Sequence, residues 1–549
     1  MWADEIEKLF DMSKAKASET YKVELNYEYE FHERDEIRGQ FLALFSKVKN
    51  HLKCYLLLDH TCLHFPNAVK GKDYSLIYHF LNPEDHTRLQ VTIKVRANEK
   101  MISLRTLWPS IIPLEEEVNR YYGVRYFIGR GVVDLNESTD LSMLKSTVNK
   151  TKASDQEAEA LPYYRLPLRP TDFERSLKWQ SVGPNSYPMN GKMRLDLLMD
   201  SHSKNVEKAV IRHGYFEKGI EKKCEKLNVF ELSLMAMRSS SQNSLFNSLL
   251  HCEVIEELAD IKIPERGQSM RMVLSEVSRI GSHLNYITDM TMKLGFIYEY
   301  DTLLKLIGGA SHLNHLFHVS TTKYSPFVFG GVCCDLPDGW ITEFLEFSKK
   351  TIQALDTVRT YLYRNKKFMR ETGNIKIKPL NALEFGLTGP ALRSCGINYD
   401  LRYHQSKYLY RDLDFEIPLG IDGTDYDRFL VHVEEISQSL RIVHQIINFI
   451  PSGPLANADH VYHRENSENL GEEIPVFPAG ETYQSLEGPE GEMGLYAFSI
   501  GNKTPYRYHF RSPSLFNSHI FSSLIDKNHM DEVIIFLQSL NLDSWEIDR

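Results

Sequence analysis

His312, His315 and His318 are the residues whose type and spacing most resemble metal ligands. On a helix, three-residue steps bring neighbouring imidazoles within reach of one ion, and a nearby carboxylate would complete a site. The same steps also spread the three rings over a wide arc. Leu313, Leu316 and Phe317 lie between them, so ordinary, partly buried histidines are the preferred reading. The seven cysteines, at 54, 62, 224, 252, 333, 334 and 395, form no C-x-x-C pair. Cys333 and Cys334 are adjacent, a spacing that rarely makes a relaxed disulfide or a shared metal site, so reduced thiols are expected. The sequence contains no P-loop, no G-x-S-x-G, no H-E-x-x-H and no G-x-G-x-x-G after a strand. The short run Ile128-Gly129-Arg130-Gly131 does not replace them, and nothing points to NADH binding in this chain.

The elements that would position any site divide the 549 residues in two. The first part alternates apolar and polar residues with period two over Leu89–Val95. Tyr55–Leu58 and Tyr74–Tyr78 are expected neighbouring strands, and Asn82-Pro83-Glu84-Asp85 is turn chemistry. A helix-like start carries Ile6, Leu9 and Phe10 on one face. Together these predict a small open sheet covered on one side. Residues 136–160 are polar and read as part of a linker. The remainder reads as mainly helical. Ile436, Leu440, Val443, Ile447 and Ile450 share one helix face, and Pro451-Ser452-Gly453-Pro454 stops that helix. A second amphipathic stretch, Glu257 to His283, is broken at Pro264. The fold class is therefore α+β, with a small α/β sheet domain at 1–135, a linker at 136–175 and a larger helical domain at 176–549.

A net charge of -10 gives no electrostatic support to nucleic-acid binding. The N-terminus lacks the apolar core of a signal peptide, and no apolar run approaches the roughly 18 residues that span a bilayer. Membrane association is expected only through partners. A charged pair such as Arg511 with Glu492 is compatible with a structural or a functional role.

Ordered motifs then carry a family resemblance. Trp108-Pro109 and the run Leu114–Val124 resemble the signature of the C subunit of respiratory complex I, matching at Glu115, Glu117, Tyr122, Gly123 and Val124 but carrying Glu116 and Arg120 where that family has Arg and Asp. Pro167-Leu168-Arg169 follows. Downstream, Gly183-Pro184, Pro264–Arg271, Arg279–Leu284, Gly330-Gly331-Val332, Leu387–Arg402, Asp414–Gly420, Asp427-Arg428, Gly491–Tyr496 and Phe510–Ser514 resemble, in order, the D subunit. The D subunit is itself similar to the large subunit of nickel–iron hydrogenases. There, two C-x-x-C pairs hold the metal, because thiolates suit soft ions. Here those positions fall on Ser240, Asn243, Asp543 and Glu546, so a hydrogenase reading is poor.

The resemblance is thus to a divergent fused C/D subunit of bacterial NADH:quinone oxidoreductase. It implies a peripheral-arm scaffold on the cytoplasmic side of the inner membrane. Its implied partners are the B subunit, which carries the terminal iron–sulfur cluster, and the membrane arm. No cofactor is expected in this chain; NADH, FMN, iron–sulfur clusters and quinone would belong to other subunits or to the interface. It also implies that three positions line the quinone chamber, all altered: Asn190 for a histidine, Ser241 for a tyrosine and Lys293 for an aspartate. The segment before Gly330 departs as well, with Val328 where the family has arginine. Two other expectations remain beside this one: a paralogue without quinone chemistry, and a protein using the three histidines to bind metal.

Overall fold

The computed structural model describes residues 21–25, 35–66, 73–96, 100–127, 177–185, 193–200, 202–215, 217–297, 300–318, 325–405, 407–457 and 476–548. The helix expected near Ile6, the glycine pair after Ile128, the linker 136–175 and Asn190 lie outside them. The described residues fall into two compact units, one from residues 1–176 with 383–386, the other from 177–382 and 387–549.

In the first unit, β1 (Tyr21–Leu25), β2 (Leu56–His64), β3 (Tyr74–Leu81) and β4 (Arg88–Val95) form a sheet of order β1-β4-β3-β2. β2, β3 and β4 are antiparallel neighbours, while β1 runs parallel to β4. The β3–β4 turn is closed by side chains, as its sequence predicts. The Glu84 N–H donates to Asn82 Oδ1 at 2.9 Å and the Thr87 N–H to Asp85 Oδ1 at 3.0 Å. The expectation of a one-sided sheet fails, because every residue of β3 is buried and only Thr92 and Lys94 of β4 are half-buried. β3, buried on both faces, is accordingly a near-continuous apolar run, whereas β4 keeps its alternation although most of both its faces is covered. Two short strands, β5 (Lys100–Ile102) and β6 (Arg125–Phe127), pair in parallel. Helices α1 (Asp35–Asn50) and α2 (Ile112–Tyr122) belong to the same unit.

The motif around Trp108 proves structural. The Trp108 indole donates to Cys54 O at 3.1 Å and its ring packs on Phe80 at 4.9 Å. Glu115 is wholly buried, accepting from Ser103 Oγ at 2.6 Å and the Leu104 N–H at 3.0 Å. Gly123 ends α2 with φ 72°, a conformation open to glycine at little cost.

The second unit opens with strands that the helical reading missed. β7 (Leu177–Val182), β8 (Arg194–Asp200) and β9 (Asn205–Arg212) join a short strand, Asn528–His529, in one antiparallel sheet. Helices then dominate. They are α3 (Val229–Met237), α4 (Ser244–Leu258), α5 (Glu265–Lys293), α6 (Tyr300–His315), α7 (Trp340–Leu362) and α8 (Asp425–Asn448). Pro264 stands at the N-cap of α5, where its missing N–H costs nothing. Ile436, Leu440 and Val443 are buried on α8, but the helix ends at Asn448, before Ile450. The hairpin β10 (Phe327–Val328) and β11 (Gly331–Val332) lies between α6 and α7 in sequence. The antiparallel sheet β12 (Gly480–Gly488), β13 (Gly491–Ser499) and β14 (Arg507–Arg511) precedes α9 (Pro513–Leu524), α10 (Met530–Ser539) and α11 (Ser544–Ile547). Among the described residues, no helix is long and apolar enough to cross a membrane.

Candidate functional site

The loop 239–243 joins α3 to α4 and holds two of the four positions that correspond to the metal-binding thiolates of the hydrogenase large subunit, Ser240 and Asn243. α3 starts cleanly because Asn228 and Glu231 cap it reciprocally. Of the other two positions, Asp543 is the N-cap of α11 and Glu546 stands within that helix. The structure brings all four together. Ser240 Oγ donates to Asp543 Oδ2 at 2.8 Å, and Asn243 Nδ2 donates to Glu546 Oε1 at 2.8 Å. Asp543 also takes the Ser241 N–H at 2.8 Å, Ser241 Oγ at 3.0 Å and the Gln242 N–H at 3.2 Å. These four side chains offer hard oxygen and amide donors where soft metals need thiolates. They interlock with one another instead.

A third carboxyl enters from the β12–β13 turn. Glu490 accepts from Asn243 Nδ2, from Ser282 Oγ at 2.9 Å and from Asn541 Nδ2 at 3.1 Å. Glu546 accepts in addition from Ser512 Oγ at 2.9 Å and Ser514 Oγ at 3.2 Å. Burial, and then the nearness of Glu546, pushes the Glu490 carboxyl up to about 8. Burial, and then Asp543, pushes Glu546 up to about 7. The folded chain therefore holds protons here that the unfolded chain releases above the usual carboxylate range. That stabilisation is fully present below pH 4.5 and is lost as the pH rises through about 7 to 8. Glu490→Gln keeps the shape and cannot ionise. Its melting temperature should therefore fall less than that of the unaltered chain between about pH 5 and pH 9, each pKa unit being worth about 1.4 kcal/mol. Parallel melting curves across that range would refute it.

Beside this cluster runs a buried polar seam that the sequence reading did not anticipate. Glu276, Arg279 and His283 lie on one face of α5, and His432, Glu435 and Ser439 on one face of α8. Ser439 Oγ donates to Glu276 Oε2 at 2.6 Å, His283 Nε2 meets Glu435 Oε2 at 3.0 Å, and the His283 and His432 Nδ1 atoms are 2.8 Å apart. Arg393 binds Glu435 Oε1 at 2.7 Å and Glu487 Oε1 at 2.7 Å. Arg402 binds Asp400 Oδ2 at 2.7 Å and Glu276 Oε2 at 3.2 Å. Burial works to raise the Glu435 carboxyl, but Arg393 and His283 overcome it and hold it well below the ordinary range. Burial, then His283, holds His432 well below its own. The one available sequence signal was charge at helical spacing on an otherwise apolar face.

The other candidates separate. Ser241 is exposed and bound to Asp543. Lys293 closes α5. Burial lowers its ammonium to about 8 against the opposing pull of Asp289 and Asp531. Its positive charge thus faces carboxylates from its own helix and from α10. His312 Nε2 meets Glu343 Oε2 at 3.1 Å on an exposed surface, and His315 is exposed; the His318 side chain lies outside the described residues. Arg511 and Glu492 do come together: the Arg511 guanidinium donates to the Glu492 carbonyl oxygen. Val328 provides its carbonyl to Arg271 Nη2 at 2.8 Å, so a guanidinium reaches this hairpin from α5.

Comparison with known proteins agrees with this architecture. Residues 37–130 match the family model of the respiratory-chain NADH dehydrogenase 30 Kd subunit, and residues 320–549 that of the 49 Kd subunit. The NADH-quinone oxidoreductase C/D subunit of Bdellovibrio bacteriovorus is 29% identical over 522 residues, covering 90% of each chain. A C/D subunit of the same oxidoreductase from Aquifex aeolicus is 27% identical, covering 97% of this chain and 98% of that one. The D subunit of Pelobacter propionicus is 31% identical over 384 residues, which are 67% of this chain and 94% of that protein. With both matched segments on one polypeptide, and a cage of thiols replaced by interlocked oxygen and amide groups, the chain belongs to the family of NADH-quinone oxidoreductase C/D subunits.

Proposed function

We propose that this chain serves in the peripheral arm of a complex I-like NADH:quinone oxidoreductase, as a scaffold for electron transfer from NADH to quinone carried by groups on other subunits. In this reading residues 1–135 and 176–549 are its two folding parts, joined by a linker at 136–175. It docks against the B subunit and the membrane arm at the cytoplasmic face of the membrane, and Asn190, Ser241 and Lys293 line an altered quinone chamber.

The observation that carries the altered chamber is the bond from Ser241 Oγ to Asp543 Oδ1 at 3.0 Å. A hydroxyl has one proton to donate, and this one is already committed. Quinone reduction consumes two protons with its two electrons, and an amide such as Asn190 is no general acid. A chamber of this kind positions the quinone and takes its protons from elsewhere.

The test is the assembled complex purified from native membranes, carrying Asn190→Ala or Ser241→Ala. Loss of a general acid costs about 10²–10⁴-fold in rate. Each substitution should change the NADH:quinone reductase rate by less than about threefold. A loss in the general-acid range would show that the residue donates a proton and would overturn the reading. Co-purification of the B subunit supports the scaffold role; a chain that purifies without it supports a paralogue outside quinone chemistry.

A further inference from the structure

The geometry points to a vicinal dithiol at Cys333–Cys334 that captures a trivalent arsenical, one soft centre bonding both sulfurs. The two Sγ atoms lie 3.2 Å apart, Cys333 exposed and Cys334 half-buried. A disulfide would need them at about 2.0 Å with its own fixed torsion. Closing that gap across a single peptide strains the backbone. A bridging arsenic adds one atom to the ring and holds its sulfurs well apart, so the pair accepts it nearly as it stands.

The flanking chain keeps the pair in place. The Cys333 N–H donates to Pro326 O at 2.9 Å and the Val332 N–H to Leu455 O at 3.2 Å. Arg271 grips Gly331 O at 2.9 Å while pairing with Glu256, and on the other side Arg266 holds Asp335 through both carboxylate oxygens at 2.7 and 2.9 Å. With both ends anchored, little conformational freedom is lost when the second sulfur bonds, which is what makes two thiols bind more tightly than one. Partial desolvation by the surrounding chain, then the contact with Cys334, pushes the Cys333 thiol up to about 12, so at neutral pH this thiol is protonated and a poor nucleophile toward disulfides. The other five cysteines are buried, which leaves this pair as the accessible thiols.

The step balances without redox change. A monosubstituted arsenous acid exchanges its two hydroxyls for two thiolates: two As–S bonds form, two As–O bonds break, and the two thiol protons leave as part of two waters. Arsenic stays trivalent throughout.

The full-length chain is treated with phenylarsine oxide and desalted into excess 2-mercaptoethanol, and its intact mass is recorded. One arsenical per chain should survive the monothiol and leave on addition of 2,3-dimercaptopropanol. Cys333→Ser and Cys334→Ser, both on an accessible hairpin flank, should each reduce retention at least tenfold, to the level of the double substitution. Retention in either single variant equal to that of the unaltered chain would overturn the proposal, because one sulfur would then suffice. So would failure of the unaltered chain to retain any arsenical. Unchanged melting of both variants establishes that a lost adduct reports the missing sulfur.

Discussion

Arg393→Met is expected to destabilise the second unit by about 3–5 kcal/mol, the cost of removing one partner from a buried ionic pair. Arg393 is fully buried and serves four neighbours at once: it hydrogen-bonds Glu435, Glu487 and the Tyr399 carbonyl, the last at 2.9 Å, and pairs with Asp400 Oδ2 at 3.4 Å. Methionine fills much of the volume but removes the guanidinium donor from Glu435 Oε1, Glu487 Oε1 and the Tyr399 carbonyl, leaving Glu435 with His283 and Glu487 with the Leu401 N–H. Burial already pushes Glu487 up to about 7 despite Arg393, so this carboxyl would become neutral. Glu435, held ionised by Arg393 before His283, would lose its larger support. The loss should also grow as the pH rises, since both carboxyls are tolerated better when protonated. Urea unfolding at two pH values measures it. A change below about 1 kcal/mol would mean that Arg402 and His283 carry the seam without Arg393. Pairing Arg393→Met with Glu435→Gln should recover part of the loss, because the second change removes the stranded charge.

Gly389→Val should be comparably severe, by about 3 kcal/mol or more, through backbone rather than charge. Gly389 has φ +64°, and a Cβ at this position would run into the neighbouring hairpin, standing 2.6 Å from Gly491 N and 2.8 Å from Glu490 O. The approach of two main chains is what lets the Thr388 hydroxyl receive the Glu492 N–H at 2.9 Å and sets Glu490 at the tip of its hairpin. A larger residue would push that hairpin away and loosen Glu490 from Asn243. The thermal midpoint should therefore drop together with the pH dependence attributed to Glu490. A variant that melts like the unaltered chain and keeps that dependence would contradict the packing described.

The sequence on its own determined the local terms. Period-two alternation placed β4 within a residue, because side-chain direction in a strand is a local property. The spacing of Ile436, Leu440 and Val443 placed the buried face of α8, and the break read at Pro264 falls at the N-cap of α5. Replacement of the four thiol positions was also legible, since it is a matter of residue identity. Strands β7 to β9 were not, because Arg194–Asp200 and Asn205–Arg212 carry no clean alternation and draw their stability from each other and from Asn528–His529 far along the chain.

Tertiary structure alone decided what the charged residues mean. Glu276, His283 and Glu435 interrupt apolar faces, and in isolation each is an expensive group to bury. They become tolerable only when Arg393, Arg402 and Ser439 arrive from other elements to share the charge. Ser240 and Asp543, 303 residues apart, meet through the same kind of long-range pairing. Periodicity specifies which face of an element turns inward. It says nothing about which partner waits there, and for a buried charge the partner determines both its protonation and its worth.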